Sequence, residues 1–489
     1  MYIVQISSEC APAAKTGGLG DVVNGLSKEL AEREHQVEVV LPKYDCMRYD
    51  RIEDLHVCYE ELWVPFHAQW VQCTVLQGRV DEIICFFIDP HSDAHLFERG
   101  LFYGHDDDVN RFGFFSRAAL EFLLKSGRRP DIIHCHDWQT GLIPVLYYEI
   151  YEPLWQHYTR FCYTLHNVGH QGRTGTDILH QVGLTPQRLM HKGGLLDNEH
   201  PHTVNLMKGG IVFSNFTTTV SPTYMHEIRA TEQGQGLQQT LNDHGSKVGG
   251  VLNGVHYGAW NPEVDSLIPS QYSAADLPAK FPNKVALRKR LMLREAFKPI
   301  VAVVSRLDPQ KGVDLIRHSI FVALENNCQF VLLGSASRSW INDQFLLLKE
   351  ELNDNPDCHL EIGYDEELSH LIYAGSDMLV IPSLYEPCGL TQLIAMKYGV
   401  VPVVRQTGGL ADTVFDANDE SVPFEERNGY LFQEHTPEAL SHALTRGIGL
   451  WHRYPEYFRQ LRLNGMGYDY SWKNPGEDYI KIYQHILGA

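Results

Sequence analysis

The stretch 2-YIVQISSECAPAAKTGGLGDVVNGLSKELAEREHQVEVVLP-42 decides the class of fold. Residues 2–7 and 37–41 are short apolar runs of the kind that form buried strands. Between them, apolar residues recur at helical spacing from Leu19 to Leu30, directly after a glycine-rich turn. Strand, turn, helix and strand in this order predict a parallel β-α-β unit.

The same alternation continues along the rest of the chain. Further apolar strands are predicted at 131–136, 161–166 and 217–221, and then at 299–305, 330–334, 378–382 and 400–404. Near-continuous apolar strands between helices indicate parallel sheets that are covered on both faces. We therefore predict an α/β protein with two doubly wound, Rossmann-like domains and a ligand site in the cleft between them, since such sheets bind ligands beyond the carboxyl ends of their strands.

The domain boundary is predicted in a polar stretch that four prolines interrupt. These are Pro262, Pro269, Pro278 and Pro282. Because such stretches are typical of linkers, we predict a first domain at 1–260, a linker at 261–285 and a second domain at 286–468.

Composition excludes several classes of function. The formal net charge is −20, which argues against nucleic acid or an anionic membrane as partner. No apolar run approaches the roughly 18 residues that a membrane-spanning helix needs, and the N-terminus is typical of a strand rather than a signal peptide. The 10 cysteines are scattered without a CxxC pair, which favours reduced thiols and a cytoplasmic location.

Phosphate-binding groups are predicted in the loop after the first strand. Gly17 and Gly18 stand at a helix start, where a ligand can approach bare backbone N–H groups, and Lys15 adds a positive charge. A tight turn with a solvated lysine is the alternative. NAD binding is disfavoured, because the glycine spacing is wrong and the second strand ends without a carboxylate.

A second glycine motif echoes the first. Thr407-Gly-Gly-Leu-Ala-Asp412 repeats the pattern of Thr16-Gly-Gly-Leu-Gly-Asp21, and each follows a strand and opens a helix. Two similar turns and a shared ligand role both remain open.

The second domain carries its own candidate site. Arg306 and Lys311 follow its first strand and suit a diphosphate, since arginine offers a fork and lysine a point charge. Glu386 precedes a helix predicted from Leu390 and could accept from sugar hydroxyls, while the first N–H groups of that helix could hold the distal phosphate. Cys388 has no evident base, so a buried small thiol is favoured over a nucleophile.

Histidines and acids close two strands of the first domain. We favour His166 as a polar group at a sugar and Asp137 as a group facing sugar or acceptor; the alternative is histidines that are satisfied inside the strand ends. His134 and His136 lack a third metal ligand at suitable spacing. The DxD pattern in 106–108 lacks a preceding strand and is interpreted as a solvated acidic turn.

Taken together and in order, these motifs resemble those of the bacterial and plastid glycogen and starch synthases. The resemblance covers nearly the whole chain and rests on Lys15-Thr-Gly-Gly-Leu-Gly-Asp21, His136-Asp-Trp138, Thr164-Leu-His-Asn167, Thr219-Val-Ser-Pro-Thr-Tyr224, Asn253-Gly-Val255, Ser305-Arg-Leu307 with Lys311-Gly312, Ile362-Gly-Tyr364, Glu386-Pro-Cys-Gly-Leu-Thr-Gln392 and Thr407-Gly-Gly-Leu-Ala-Asp412.

The resemblance implies a GT-B fold whose last segment, 469–489, crosses back to the first domain. It implies transfer of glucose from a nucleotide-glucose, foremost ADP-glucose with UDP-glucose as the other donor, to the non-reducing end of an α-1,4-glucan such as glycogen or a malto-oligosaccharide. Configuration would be retained, with no metal or other cofactor, because the sugar nucleotide is a substrate. A synthase with a small acceptor and an inactive glucan-binding homologue are the alternatives.

The resemblance also implies roles for individual residues. The expected catalytic residues are His166, Arg306, Lys311 and Glu386. Donor binding is expected from Lys15, Gly17, Gly18, Asn253, Tyr364, Cys388, Gly389, Leu390 and Thr391, and acceptor contacts from Asp137, Tyr103 and Trp138. The sequence departs from the wider group at Ile394, where a second acid is common.

Overall fold

A computed structural model describes residues 1–336 and 338–488, and the chain divides into two α/β units. One unit consists of Met1–Gly254 together with the C-terminal residues from Trp472 onward. The other is Val255–Ser471.

In the described part of the first unit, the strands form a nine-stranded sheet and a two-stranded ribbon. They are β1 (Tyr2–Ile6), β2 (Gln36–Pro42), β3 (Glu53–Phe66), β4 (Gln69–Val80), β5 (Ile83–Pro90), β6 (Ile132–His136), β7 (Arg160–Leu165), β8 (Arg173–Thr174), β9 (Val204–Asn205), β10 (Phe216–Thr219) and β11 (Val248–Gly250). The main sheet has the order β11-β10-β7-β6-β1-β2-β5-β4-β3, and β8 pairs with β9.

The helices of this unit follow the strands in the expected alternation. They are α1 (Gly18–Glu32), α2 (Asp108–Lys125), α3 (Ile143–Leu146), α4 (Glu152–Trp155), α5 (Asp177–Gln181), α6 (Pro186–Leu189), α7 (Leu206–Phe213), α8 (Pro222–Ala230) and α9 (Gln238–Asp243). β1 lies between β2 and β6 and pairs with both in parallel, so the β-α-β prediction from the opening stretch is confirmed.

A long antiparallel extension of this sheet was not expected from the sequence. β4 pairs antiparallel with both β3 and β5. Only the last part of β3 buries alternate residues, and its register against β4 shifts three times. A strand that faces solvent along most of its length and contains bulges carries little period-two signal, so the apolar pattern does not reveal it.

The second unit is built on a smaller, wholly parallel sheet. Its strands are β12 (Ile300–Arg306), β13 (Gln329–Ser335), β14 (Cys358–Ile362), β15 (Met378–Ile381), β16 (Val401–Arg405) and β17 (Tyr430–Phe432), in the order β14-β13-β12-β15-β16-β17. Its helices are α10 (Phe281–Arg290), α11 (Val313–Glu325), α12 (Ser339–Leu352), α13 (Glu366–Gly375), α14 (Thr391–Lys397), α15 (Gly408–Thr413), α16 (Pro437–Arg453) and α17 (Pro455–Gly467).

Residues 261–285, expected to be a linker, lie inside the second unit. Lys280 is buried, and its Nζ donates to the backbone carbonyls of Tyr373 and Tyr398, each at 2.8 Å. Asn283 is also buried and is bonded to both backbone groups of Ser270. The proline-containing segment is therefore packed into the second unit, because its polar side chains form hydrogen bonds with that unit.

The last helix, α18 (Lys473–Leu487), belongs to the first unit, in agreement with the expected return of the C-terminal segment. Trp472, which precedes it, lies against Gly25 of α1 so closely that a Cβ on Gly25 would come within 2.0 Å of its indole nitrogen. Further along, the Tyr483 hydroxyl is 2.8 Å from His134 Nδ1 of β6.

Among the described residues, no helix combines the length and the apolar character needed to cross a membrane. All 10 cysteines lie in the described ranges, and each is a free thiol.

Candidate active site

Glu9 organises the glycine-rich loop of the first unit, although no sequence pattern singled it out. The residue is buried, with 4% of its surface exposed. Oε2 accepts from the backbone N–H groups of Thr16 at 2.7 Å and Gly17 at 3.2 Å, and Oε1 accepts from the Tyr103 hydroxyl at 2.8 Å. The N–H of Gly17 is thus held by a carboxylate, and the loop is fixed by a buried anion.

Lys15 lies at the surface of this loop and forms an ion pair with Asp21 at 2.8 Å. The side chains are 40% and 33% exposed, so the pair contributes little stability and Lys15 can exchange its partner at little cost. Helix α1 begins at Gly18, and a Cβ on Gly17 would meet nothing within 4 Å. The space beside Gly17 is therefore open to a ligand.

Tyr103 and Trp138, two of the predicted acceptor-side residues, lie against the same ring. Their centroids are 5.9 and 5.5 Å from that of Phe112. The Tyr103 hydroxyl is also 2.8 Å from Ser8 Oγ, and burial raises the pKa of Tyr103 well above its usual value. The structure brings these two aromatic residues together with the loop that Glu9 holds.

Asp137 supports the backbone at His166. Its Oδ1 accepts from the N–H groups of His166 at 2.7 Å and Asn167 at 3.3 Å, and its own φ of 53° lies in the left-handed region. A non-glycine residue is strained there, which is typical of positions where geometry serves a site. Burial raises the pKa of Asp137 to about 7, against the opposing effect of the two N–H donors.

His166 is half-buried at the end of β7 and is bonded through one ring nitrogen. Its Nε2 is 3.0 Å from His136 Nδ1, and His136 Nε2 is 2.9 Å from Gln5 Oε1. Burial lowers the pKa of His166 to about 3 and that of His136 well below its ordinary value, so both rings are neutral at physiological pH.

The alternative interpretation of the strand-end histidines holds for two of the three. His134 and His136 are fully buried. His134 is bonded to Tyr483 and, at 2.7 Å, to Thr164 Oγ1, and its ring stacks on that of His136 at 4.3 Å. Only His166 keeps part of its ring accessible, with Nδ1 unbonded within the described residues.

In the second unit, Lys311 and Glu386 form a close ion pair. Lys311 Nζ is 2.6 Å from Glu386 Oε2, which also accepts from Ser383 Oγ at 2.9 Å. Lys311 stands on a short 3-10 turn after β12 and Glu386 on the loop after β15, neighbouring strands of the sheet. Both side chains line one small cavity at the carboxyl ends of these strands, where parallel sheets bind ligands.

Arg306, the other predicted cation, is far more exposed. It ends β12, and its side chain is 59% exposed with a loose contact of 3.6 Å to Asp308. It lines a shallow depression together with Leu307, Asp308, Ser335 and Ala336. Lys311 is thus held in place by a buried acid, whereas Arg306 is available for a ligand.

The second glycine motif supports the Glu386 loop. The N–H of Gly409 donates to the carbonyls of Glu386 at 3.1 Å and Pro387 at 3.2 Å. A Cβ on Gly408 would lie 1.9 Å from the Glu386 carbonyl oxygen, and one on Gly409 would lie 2.1 Å from that of Cys388. The structure therefore gives the glycine motif at 407–412 a role in packing against the Glu386 loop.

The remaining predicted donor residues lie on or beside the same loop, with two exceptions. Cys388 is buried, Gly389 adopts a φ of 71°, and Leu390 and Thr391 begin α14. One exception is Tyr364, which follows β14 and is 82% exposed. The other is Asn253 of the first unit, whose buried Oδ1 has no hydrogen-bond partner within the described residues.

Gln392, in the first turn of α14, supports this loop, although the sequence assigned it no role. It is fully buried and its amide donates to the Cys388 carbonyl at 3.0 Å, which fixes the backbone around the thiol. A polar residue inside an apolar helix, LTQLIAM, was the available signal.

The acidic turn at 106–108 is more structured than expected. Asp107 forms a two-pronged ion pair with Arg99 at 2.6 and 2.9 Å, and Asp108 pairs with the buried Arg111. These carboxylates hold the start of α2 rather than being simply solvated. Within residues 1–336 and 338–488, no three His, Cys, Asp or Glu side chains form a group that could hold a metal ion.

Family comparisons agree across both units. Residues 2–243 match the family described as starch synthase catalytic domain, and residues 292–454 match glycosyl transferases group 1. Glycogen synthase 1 of Nitrosococcus oceani is 60% identical over 486 residues, and glycogen synthase 2 of Methylococcus capsulatus is 54% identical over 484 residues. Each alignment covers 99% of both chains.

Solved structures give the same picture of the fold. The catalytic domain of starch synthase IV from Arabidopsis thaliana, bound to ADP and acarbose, superposes with a TM-score of 0.97 at 44% identity. The match covers 100% of this chain and 99% of that one. Sucrose-phosphate synthase from Thermosynechococcus elongatus gives a TM-score of 0.63 at 18% identity, a likeness of fold alone.

Proposed function

The chain belongs to the family of glycogen and starch synthases, which are GT-B glycosyltransferases, and from this premise we propose its donor, its acceptor and the residues that serve them. Its full-length similarity to glycogen synthases assigns it the activity of that family. The proposed reaction moves glucose from ADP-glucose to the non-reducing end of an α-1,4-glucan, with retention of configuration.

One observation carries the assignment of the residues. Lys311 is held against the buried Glu386 by a 2.6 Å contact at the end of β12, and Arg306 leaves the same strand end with an exposed guanidinium. In a chain of net charge −20, two cations at this edge form a local site for an anion. A diphosphate is the anion that a sugar nucleotide releases.

The chemistry that these cations support is the departure of the nucleoside diphosphate. As the bond to the anomeric carbon breaks, negative charge develops on the phosphate oxygens, and prepositioned cations lower the barrier by stabilising it. The acceptor hydroxyl can pass its proton to the leaving phosphate on the same face of the sugar. We propose that this requires no metal, since Arg306 and Lys311 supply the compensating charge.

ADP-glucose is the proposed donor because the similar starch synthase IV structure is bound to ADP. Tyr364, just after β14 and largely exposed, is proposed to lie against the nucleobase. Gly389, Leu390 and Thr391 are proposed to contact the donor through the loop that Glu386 anchors. Lys15, Gly17, Gly18 and Asn253 are the proposed donor contacts of the first unit.

The first unit is proposed to supply the acceptor side. Tyr103 and Trp138 offer aromatic surface around Phe112, and sugar rings pack on such faces. Asp137, with a pKa near 7, lies beside them under the His166 backbone. The acarbose in the similar structure supports a glucan acceptor. We also propose a cytoplasmic location, supported by the free cysteines.

The proposal is tested by donor and acceptor competition. Labelled ADP-glucose and UDP-glucose are each incubated with glycogen or with free glucose, and label in polymer and in small products is measured. We expect label from ADP-glucose in glycogen, with about a 10²-fold loss in the Arg306→Ala variant. Arg317→Ala removes another exposed arginine, on α11, and should leave the rate unchanged.

Label in a disaccharide rather than in glycogen would replace the proposed acceptor with a small sugar. Preference for UDP-glucose would overturn the proposed donor alone. An equal loss of transfer rate in the Arg306→Ala and Arg317→Ala variants would contradict the proposed role of Arg306.

A further inference from the structure

We propose that Gln5 and His136 are positioning residues that fix the tautomer of His166, so that its free nitrogen Nδ1 serves as a hydrogen-bond acceptor for a sugar hydroxyl. The inference rests on the proposed function only in naming a sugar as the ligand. The tautomer itself follows from a chain of four hydrogen bonds, three of them buried and the last partly buried, whose directions can be assigned one after another.

The chain is anchored at a backbone carbonyl in α1. Ser27 Oγ lies 2.6 Å from the carbonyl oxygen of Val23, which has no hydrogen to give. The single hydroxyl hydrogen of Ser27 must therefore lie in that bond. Gln5, whose side chain is 2.7 Å from the same Ser27 oxygen, must then be the donor there, and this fixes the orientation of its amide.

The orientation of Gln5 determines the tautomer of His136. With its amide nitrogen turned to Ser27, Gln5 presents Oε1 to His136 Nε2 at 2.9 Å. A carbonyl oxygen only accepts, so the hydrogen of this bond is on His136 Nε2. Because His136 is fully buried and neutral, its Nδ1 carries a lone pair and no hydrogen.

The tautomer of His136 determines that of His166 in turn. His136 Nδ1 is 3.0 Å from His166 Nε2, and an accepting Nδ1 requires the hydrogen on that Nε2. A neutral His166 then has a bare Nδ1, the nitrogen that forms no hydrogen bond within the described residues. The ring can accept from a hydroxyl and cannot donate to one through Nδ1.

Removing the hydrogen-bond acceptor at position 5 should change the tautomer of His166. In Gln5→Met the apolar side chain offers no acceptor, so His136 loses the partner that keeps its hydrogen on Nε2. The hydrogen can move to Nδ1, which would donate to His166 Nε2 and place the other hydrogen on His166 Nδ1. A sugar hydroxyl would then meet a donor where it needs an acceptor.

The experiment reads the tautomer directly. Protein labelled with nitrogen-15 in histidine is examined by two-bond proton–nitrogen correlation spectra, with His166 assigned by comparison with His166→Asn. We expect the Nε2–H form in the wild type and a population of Nδ1–H in Gln5→Met. An Nδ1–H signal in the wild type would overturn the proposal without reference to any variant.

Kinetics then separate positioning from packing. Gln5→Met should lower kcat/KM for ADP-glucose by about 10- to 100-fold, the effect of a misdirected buried hydrogen bond. Gln5→Glu should restore most of the activity, because a buried carboxyl stays protonated and offers the same acceptor and donor. Equal loss in both variants would overturn the proposed relay.

A control in the same buried cluster is Tyr483→Phe. It removes the bond to His134 at 2.8 Å and leaves the chain from Ser27 to His166 intact. We expect the His166 tautomer and kcat/KM to be unchanged. A preparation that shows the expected tautomers yet transfers no glucose would reject the proposed function and leave the proposed hydrogen-bond chain intact. A preparation that transfers glucose but has Nδ1–H on His166 would reject the hydrogen-bond chain and leave the proposed function intact.

Discussion

Replacing Gly409 of α15 with alanine should displace the loop that carries Glu386 and Cys388 without removing any side chain from that loop. The new Cβ would lie 2.1 Å from the carbonyl oxygen of Cys388 and 2.5 Å from its Cα. Both are backbone atoms, so no rotamer change can relieve the contact. The loop that carries Glu386 and the start of α15 must move apart by about 1 Å, a displacement that can cost about 10²-fold in rate when it misplaces a catalytic group.

The assay is glucose transfer from ADP-glucose to glycogen, measured beside urea unfolding of the same preparations. We expect kcat to fall by about 10²-fold in Gly409→Ala, with a loss of stability of about 1–3 kcal/mol from overpacking. Gly449→Ala is the matched control, since its Cβ would meet nothing within 4 Å in α16. It should keep full activity and gain up to about 1 kcal/mol.

A Gly409→Ala enzyme that keeps its rate within about threefold of the wild type would refute the reasoning, since it would show that the loop tolerates a shift of that size. If the loss of activity matched the fraction of protein that is unfolded, Gly409 would serve stability alone.

Four further outcomes are expected. Arg306→Ala should lower kcat by about 10²- to 10³-fold at unchanged unfolding midpoint, because its side chain is largely exposed. Lys311→Ala should lower the rate by a similar factor and also cost about 3 kcal/mol of stability in urea unfolding, because the buried Glu386 loses its cationic partner. For Asp137, the folded pKa near 7 lies above the unfolded value, so the stability that this carboxyl contributes falls as pH rises from about 4 to 7, by at most about 1.4 kcal/mol per pH unit; the unfolding free energy of Asp137→Asn relative to that of the wild type should therefore rise over this range, and a difference that does not change with pH would contradict it. Asp377→Ala should destabilise the protein by about 3–5 kcal/mol, because Lys284, 2.7 Å away and buried, loses its counter-ion, and a change below about 1 kcal/mol would contradict this.

Much of the fold was predictable because the parallel strands are buried on both faces. β1, β2, β12 and β15 are largely apolar and buried, and their predicted limits differ from the observed ones by at most one residue at either end. The edge strand β3 was not found, because it is solvated along most of its length. The supposed linker was misjudged because burial of Lys280 depends on carbonyls more than 90 residues away, which local composition cannot reveal.

The candidate site, like the fold, has residues that the sequence could predict and residues that it could not. Glycines, cations and strand-end acids have spacings that sequence can reveal, and the structure brings Lys311 together with Glu386. Glu9 and Gln5 were invisible, because their importance comes from partners on other elements, such as Tyr103 and His136. A buried polar residue within an otherwise ordinary strand or loop gains meaning only when its partners are known.

The order of the chain has a consequence for biosynthesis. The second unit is one continuous segment, Val255–Ser471, whereas the first unit includes residues from Trp472 onward. On the ribosome, most of the first unit is made before the second, yet it lacks the helix that covers α1 until residues 473–487 have been translated. The second unit can therefore finish folding before the first, and the apolar face that awaits Trp472 and Tyr479 must be protected from aggregation until that helix has been made.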